Sequence, residues 1–179
     1  MSAEKITVEP NLIDYDEFYK SFSWDDIRSQ MDGLSCNKGL NIAYETVVRH
    51  AQGKKADKVA IKWLGKKGEE TDFTFLKLDN ESNRFANTLS KLGVEKGKNV
   101  FVLLGRIPQL YIAALGTWKK ACVFCPLFSA FGPEPIQQRM SIGDGKVLIT
   151  TEKLYNKKIK VLVDELPELS HVLLVDAWE

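Results

Sequence analysis

Glycine-rich turns, cysteines, histidines and a lysine cluster are the features of this sequence that could do chemistry. The segment Gly93–Asn99 brings glycines and lysines together, as a phosphate-binding loop does. Too few residues separate its glycines, however, and it lies between a predicted helix and a predicted strand. That order is the reverse of the one that aims a helix N-terminus at a phosphate, so the segment predicts a turn. Gly143–Gly145 lacks the third glycine of a dinucleotide-binding fingerprint and predicts a second turn.

The cysteines and histidines do not form a recognisable catalytic or metal site. Cys122 and Cys125 have the spacing of a redox or zinc pair, but at that spacing the side chains of a strand point to opposite faces and cannot share one ion. His50 and His171 lie far apart in the sequence. No serine elbow of the Gly-x-Ser-x-Gly type supplies a hydrolase nucleophile. The residues alone therefore predict neither a catalytic constellation nor a metal site.

One local basic cluster follows the apolar run Val147–Ile149. It consists of Lys153, Lys157, Lys158 and Lys160. Such a cluster is typical of a solvated helix face. Its place near the carboxyl ends of predicted strands also suits the neutralisation of a nucleotide phosphate. The residues alone do not distinguish a solvated helix face from a phosphate-binding site.

Composition limits the kind of protein to which these residues can belong. Of the 179 residues, 44% are hydrophobic and 27% are charged, which suits one folded domain and excludes a disordered chain. A formal charge of +1 gives no basic footprint for nucleic acid. No apolar run is long enough to cross a bilayer and the first residues do not resemble a signal peptide, so we expect no membrane partner. Together with only three cysteines, this predicts a cytoplasmic protein.

Two segments of different character follow one another. Residues 1–39 mix aromatic and acidic side chains without a sustained period, and we expect an N-terminal arm of one or two short helices whose rings pack against the main body. Residues 40–179 carry regular patterns. Asn41 is placed to cap a helix that ends near His50. The predicted apolar side of this helix comprises Ile42, Ala43, Val47 and Ala51.

A hairpin and a long helix are predicted next. Val59–Leu64 and Thr71–Phe75 have the pattern of two strands, and the turn Gly65–Gly68 joins them into an antiparallel pair. From Thr74 the apolar residues recur with a helical period, and Gly93 is placed to end that helix in a left-handed conformation.

Four apolar runs then alternate with helical segments. The runs are Val100–Leu104, Ala121–Phe128, Val147–Ile149 and Val172–Val175. Pro108 and Pro133 are placed to open two of the intervening helices. Continuous apolar strands separated by helices predict an α/β fold with a doubly wound, mostly parallel sheet, to which the hairpin is added. Ligands of such sheets bind at the carboxyl ends of the strands.

Short segments in one collinear order between residues 40 and 151 resemble acyl-adenylate-forming ligases. They are Leu40–Glu45, Thr74–Leu78, Ser82–Asn87, Leu92–Gly97, Arg106–Tyr111, Pro126–Glu134 and Lys146–Thr151. Within that superfamily the segments are most similar to the acetate–CoA ligases, also called acetyl-CoA synthetases.

The resemblance implies a fold and an activity. Residues 40–179 would form an incomplete α/β subdomain in the N-terminal domain of a much larger ligase. That ligase would convert acetate, ATP and coenzyme A to acetyl-CoA, AMP and pyrophosphate through an acetyl-adenylate, with magnesium screening the phosphates. The family's phosphate loop, acyl pocket and catalytic lysine have no counterpart here, so the resemblance implies an inactive fragment without catalytic residues. The expected partners are the remainder of the ligase and a small acid.

The resemblance also implies a surface for coenzyme A. In related enzymes the loop that matches Phe128 and Ser129 lies beside the nucleotide of coenzyme A. Basic residues after the next strand meet its 3′-phosphate, and Lys157 and Lys158 match that position. We therefore expect these four residues to bind coenzyme A. Many relatives carry a Gly-Gly pair where Ser129 and Ala130 stand, and arginines in place of the two lysines. Lys98 replaces the family's usual aspartate and Ala121 its usual glycine, which indicates a divergent member.

Two alternatives stand beside an acetate ligase. The pocket that selects the acid is not in this sequence, so a ligase for a medium-chain or aromatic acid fits the same residues. A non-catalytic α/β binding module that keeps the scaffold fits them too. A reading frame that continues into a glycine-rich Ser/Thr loop with lysine would favour the enzyme, whereas a stop codon near residue 179 would favour the module.

Overall fold

The computed structural model describes residues 12–176 of the chain. The chain divides into two compact units, one ending at Asp32 and the other beginning at Gly33. Residues 1–11 of the predicted arm lie outside the described range, and the division of the chain into domains at residue 39 stays a prediction. None of the helices between residues 12 and 176 combines the length and the hydrophobicity that spanning a membrane requires.

The regular elements follow one another as short strands and helices. The first unit contains α1 (Tyr15–Ser21) and α2 (Trp24–Ser29). The second contains, in order, a 3₁₀ turn (Ser35–Asn37), a π-helical turn (Tyr44–Val48) continued by α3 (Arg49–Ala51), β1 (Val59–Leu64), β2 (Glu70–Thr74), α4 (Phe75–Lys91), β3 (Asn99–Leu103), α5 (Pro108–Lys119), β4 (Val123–Pro126), α6 (Pro133–Ile142), β5 (Val147–Thr151), α7 (Glu152–Leu154), a second π-helical turn (Tyr155–Ile159), a 3₁₀ helix (Lys160–Glu165) and β6 (His171–Val175).

Helices α1 and α2 are held by side-chain caps and by contacts between their own aromatic rings. The backbone N–H of Glu17 donates to the Asp14 carboxylate (3.0 Å), which caps α1. The rings of Tyr15 and Tyr19 stack with their centroids 6.0 Å apart. The arm, in which one or two short helices are expected, contains two. The expectation that their rings pack against the main body stays a prediction.

The first helix of the second unit begins where the sequence predicts it, but its buried side differs. Asn41 accepts a hydrogen bond from the N–H of Tyr44 (3.2 Å) through its side-chain oxygen, as expected of a cap. Its amide nitrogen donates to the carbonyl of Trp118 (2.7 Å), which anchors the cap to α5. The prediction that Ile42 shares the buried side is wrong, because its side chain is 56% exposed. The buried side consists of Ala43, Val47 and Ala51.

The antiparallel hairpin and the helix that follows it are confirmed. β1 pairs with β2, and the N–H of Lys77 donates to the hydroxyl of Thr74 (3.1 Å), which caps α4. This cap explains why Phe75 begins the helix instead of ending the second strand. Gly93 follows α4 with φ +71°, the left-handed conformation that glycine adopts most readily.

The predicted doubly wound sheet is also confirmed. β3 to β6 form one parallel sheet in the order β4-β3-β5-β6. One face buries Val100 and Val102 against α4 and α5, and the other buries Phe101 and Leu103 against α6 and the turns that follow β5. Because the central strands β3 and β5 are buried on both faces, their residues are mostly apolar and do not alternate with polar ones.

Helices α4 and α5 approach each other closely. A Cβ atom placed on Gly116 would lie 2.6 Å from Cδ1 of Phe85 and 2.8 Å from the carbonyl oxygen of Ser82. Beside this contact, the ammonium of Lys119 on α5 lies 2.6 Å from the carboxylate of Asp79 on α4, and both side chains are nearly buried. The small residue and the ion pair together fix how the two helices cross over the sheet.

Candidate functional site

The carboxyl ends of the parallel strands enclose the crevice at which a ligand is expected. The chain runs from β3 outward to β4, then crosses back over β3 to β5 and outward to β6. Helix α5, which follows β3, lies on one face of the sheet, whereas the turns that follow β5 lie on the other face. Because the chain leaves these two neighbouring strands in opposite directions, the crevice that ligands of such sheets occupy is expected between their ends.

Hydrogen bonds fix both walls of this crevice. The hydroxyl of the buried Thr150 on β5 donates to the carbonyl of Leu103 on β3 (2.9 Å). The hydroxyl of Thr151 accepts a hydrogen bond from the N–H of Leu154 (3.3 Å) and caps the turn that leaves β5. The first bond joins the ends of β3 and β5, and the second fixes the start of the turn that follows β5.

The hairpin reaches the loop that follows β3. The indole N–H of Trp63 on β1 donates to the carbonyl of Arg106 (3.0 Å). Sequence reasoning missed this contact, which joins residues 43 positions apart. The tryptophan itself is the feature of the sequence that could have indicated this contact, because an indole N–H in a folded protein usually finds an acceptor. The contact places β1 beside the crevice.

The loop after β4, residues Leu127–Gly132, is called the β4 loop below. It is anchored at its start, where the N–H of Leu127 donates to the carbonyl of Val102 (2.8 Å), and it turns back on itself, where the N–H of Phe131 donates to the carbonyl of Phe128 (2.9 Å). The rings of these two phenylalanines meet edge to face at 5.6 Å. Arg139 lies over the Phe131 ring at 4.4 Å, a contact whose pairing sequence reasoning did not identify.

Lys158 holds the backbone of the β4 loop. Its ammonium donates to the carbonyls of Ser129 (2.6 Å) and Phe131 (2.7 Å), and only 9% of the residue is exposed. Its neighbour Lys157 is exposed and forms no ion pair within residues 12–176. The structure therefore brings Phe128, Ser129 and Lys158 together at one edge of the sheet, with Lys157 beside them on the outside.

A π-helical turn creates the difference between the two lysines. The N–H of Lys160 donates to the carbonyl of Tyr155, one residue further back than in an α-helix. This turn directs Lys158 and Ile159 inward, and the side chain of Ile159 is fully buried in the core beneath the β4 loop. The hydrophobic periodicity of the sequence does not reveal such a turn. A π-helical turn shifts the spacing of buried residues by only one position relative to an α-helix, and the segment is short.

The cysteines are structural in this arrangement. Cys122 packs with Leu89 and Val100 on one face of the sheet, whereas Cys125 packs beside Phe101 on the other, as their spacing predicts. Burial raises the pKa of the Cys122 thiol, an effect that the positive charge of Lys120 offsets only in part. Burial also raises the pKa of the Cys125 thiol. Both thiols are therefore poor nucleophiles near neutral pH.

This burial predicts selective alkylation. At pH 8 we expect iodoacetamide to modify the exposed Cys36 at least roughly tenfold faster than Cys122, because the thiolate is the reacting species and a raised pKa reduces its amount at that pH. Peptide mass spectrometry over a time course measures the rates. The same reaction in urea is the control, where the three rates should converge. Equal rates at Cys36 and Cys122 in the native chain would contradict the prediction.

The chemistry available at this edge is recognition of an anion and of an apolar ring. Lys157 offers an exposed positive charge, and the ring of Phe128 is 64% exposed. Within residues 12–176 there is no group of three or more His, Cys, Asp or Glu side chains that could hold a metal ion. The magnesium ion that the resemblance implies therefore has no such cluster of ligands among these residues.

An apolar cavity of about 380 Å³ lies elsewhere in the second unit. It lies between the first π-helical turn, the hairpin, α4 and α5, and its lining includes Ile61, Leu78, Tyr111 and Trp118. No charged side chain lines it, so it offers no partner for a phosphate or a carboxylate.

Comparisons with known proteins agree with this architecture. The family model described as AMP-binding enzyme matches residues 47–179. An acetyl-coenzyme A synthetase of Bacillus subtilis is 37% identical over 166 residues, which cover 92% of this chain and 28% of the relative. A 3-hydroxypropionyl-coenzyme A synthetase of Sulfurisphaera tokodaii is 33% identical over 130 residues, which cover 70% of this chain and 20% of the relative. The chain thus spans less than a third of the length of these relatives.

A solved structure supports the same grouping. The acyl-CoA synthetase of Brucella canis superposes with a TM-score of 0.77 and 28% identity, over 92% of this chain and 29% of that one. This match, over most of the chain, confirms the resemblance seen in the sequence segments. By its family model and its fold, the chain belongs to the AMP-binding enzymes, the family of acyl-adenylate-forming ligases.

Proposed function

We propose that these residues are part of an ATP-dependent acetate–CoA ligase. The observation that carries the proposal is the 37% identity to an acetyl-coenzyme A synthetase over 92% of the chain. In the proposed reaction a carboxylate oxygen of acetate attacks the α-phosphorus of ATP and pyrophosphate leaves. The thiol of coenzyme A then loses its proton and attacks the acyl carbon, so that a thioester forms and AMP leaves. The reaction is thereby divided into two easier displacements.

The residues of this chain would serve the second displacement by binding coenzyme A. Phe128, Ser129, Lys157 and Lys158 lie at the edge of the sheet where ligands of doubly wound folds bind. Coenzyme A combines negative phosphates with an aromatic base. The exposed ammonium of Lys157 suits the first of these features, and the exposed ring of Phe128 suits the second.

A ligase for another acid is the second candidate. The 33% identity to a 3-hydroxypropionyl-coenzyme A synthetase favours it, since that relative is named for a different short acid. No contact among the described residues distinguishes acetate from another short acid. A measurement is therefore needed to identify the acid that the ligase prefers.

The test is acid-dependent exchange of pyrophosphate into ATP by the product of the complete reading frame. Acetate, 3-hydroxypropionate, octanoate and benzoate are compared at equal concentration, and AMP release is then measured with coenzyme A. We expect the highest ratio of kcat to KM with acetate. A higher ratio with another acid would replace acetate by that acid. If no acid supports exchange, the ligase hypothesis fails and the non-catalytic binding module takes its place.

The 179-residue chain alone is expected to give no exchange with any of these acids. Its sequence contains no Ser/Thr/Gly-rich loop ending in lysine that could hold the phosphates of ATP. The complete reading frame, assayed in parallel, is the positive control. Acetate-dependent exchange by the 179-residue chain would show that the reactive groups lie within it and would contradict this expectation.

A further inference from the structure

We propose that Lys158 is a positioning residue, which shapes the β4 loop for coenzyme A without touching the ligand. This inference rests on the proposed function and assigns different roles to two adjacent lysines. Lys157 supplies the charge that meets a phosphate, whereas Lys158 supplies the hydrogen bonds that give the loop its form.

The hydrogen bonds of Lys158 commit its ammonium to the protein. They join it to the carbonyls of Ser129 and Phe131 at 2.6 and 2.7 Å, and these carbonyls belong to a segment 27 to 29 residues away in the sequence. An ammonium has three protons to donate, and the short distances mark both bonds as charge-assisted. A phosphate that approached Lys158 would have to displace at least one loop carbonyl or reach a side chain that is almost completely covered.

The β4 loop depends on this ammonium for its shape. Two carbonyls that point toward one side chain repel each other unless a cation lies between them, and Lys158 is the cation that lies there. Arg139 lies over the ring of Phe131. Lys158 therefore holds the backbone of Phe131 and Arg139 contacts its ring, whereas Phe128 is 64% exposed.

Lys157 and Lys158 provide a matched pair of variants. Methionine keeps the length and the apolar stem of lysine and removes only the ammonium, so Lys158→Met and Lys157→Met differ in position alone. The complete ligase is assayed with coenzyme A and with 3′-dephospho-coenzyme A, which lacks the phosphate that an exposed lysine would meet. Hydrogen exchange of the β4 loop is measured in both variants without ligand.

For Lys158→Met we expect the KM for coenzyme A and for the dephospho form to rise by a similar factor, roughly tenfold, because a misplaced loop weakens both complexes. We also expect faster exchange of the Phe131 amide, which donates to Phe128 in the ordered loop. For Lys157→Met we expect a higher KM for coenzyme A, an unchanged KM for the dephospho form, and unchanged exchange of the loop.

Two results would overturn the inference. One is a Lys158→Met variant that loses affinity for coenzyme A alone, which would make Lys158 a direct phosphate ligand. The other is a variant with unchanged loop exchange and unchanged KM for both thiols. A failure of the proposed function is a different result, because the unmodified ligase would then release no AMP with any acid, and the exchange measurement would still report whether Lys158 orders the loop.

Discussion

A Gly116→Val substitution is expected to lower the free energy of unfolding of the 179-residue chain by about 3 kcal/mol. The nearest atoms to the new side chain would be the ring of Phe85 and the backbone carbonyl of Ser82, and the carbonyl cannot rotate away because it belongs to α4. Helices α4 and α5 would have to separate, which would uncover the apolar face of the sheet that they share. Urea denaturation followed by circular dichroism measures the loss.

Gly105→Ala is the control at a glycine with open space around it. No atom lies within 4 Å of the position that a Cβ would take on Gly105, and its backbone is not left-handed, so the change should stay within about 0.5 kcal/mol of the unmodified chain. Equal stabilities of the two variants would show that the crossing of α4 and α5 is not set by close contact at Gly116.

The second large effect is expected from Lys119→Met, which should lower the free energy of unfolding by about 2 kcal/mol. The side chains of Lys119 and Asp79 are only 10% and 14% exposed, and the ammonium also contacts the side chain of Asn83 (2.8 Å). Without it, the Asp79 carboxylate would remain nearly buried and lose its charged partner. Chemical denaturation at neutral pH is the measurement.

Arg84→Met provides the comparison for an exposed pair. Arg84 contacts Glu81 at 3.2 Å, but its side chain is 79% exposed, so solvent screens the attraction and the expected loss is below about 0.5 kcal/mol. A double variant, Lys119→Met with Asp79→Leu, should recover part of the loss because the uncompensated charge is gone. A Lys119→Met variant as stable as Arg84→Met would refute the role given to this ion pair.

Local features of the fold could be predicted from the sequence because their causes lie within a few residues. The turn between β1 and β2, the proline that opens α5 and the left-handed Gly93 each depend on the backbone preference of one residue or of a short turn. The parallel sheet could be predicted for a related reason. Its central strands are covered on both faces and are therefore mostly apolar, without the alternation of a half-exposed strand.

The candidate site could be predicted only in outline. The strand ends and the lysine cluster are visible in the sequence, but the two adjacent lysines carry the same signal there. Their different surroundings come from the second π-helical turn and from the distant carbonyls of Ser129 and Phe131. The link between Trp63 and Arg106 is likewise a contact between segments that are far apart along the chain. Patterns of local spacing contain no information about such pairs.

The central place of β3 in the sheet has a consequence for biosynthesis. β3 pairs with β4 on one side and with β5 on the other. During translation, the apolar strand Asn99–Leu103 therefore leaves the ribosome without a neighbour, gains its first only after Pro126, and is enclosed only after Thr151. Until then, the unpaired edge of this apolar strand is exposed to solvent in the nascent polypeptide. A chaperone that binds exposed apolar segments would protect the chain most during this interval.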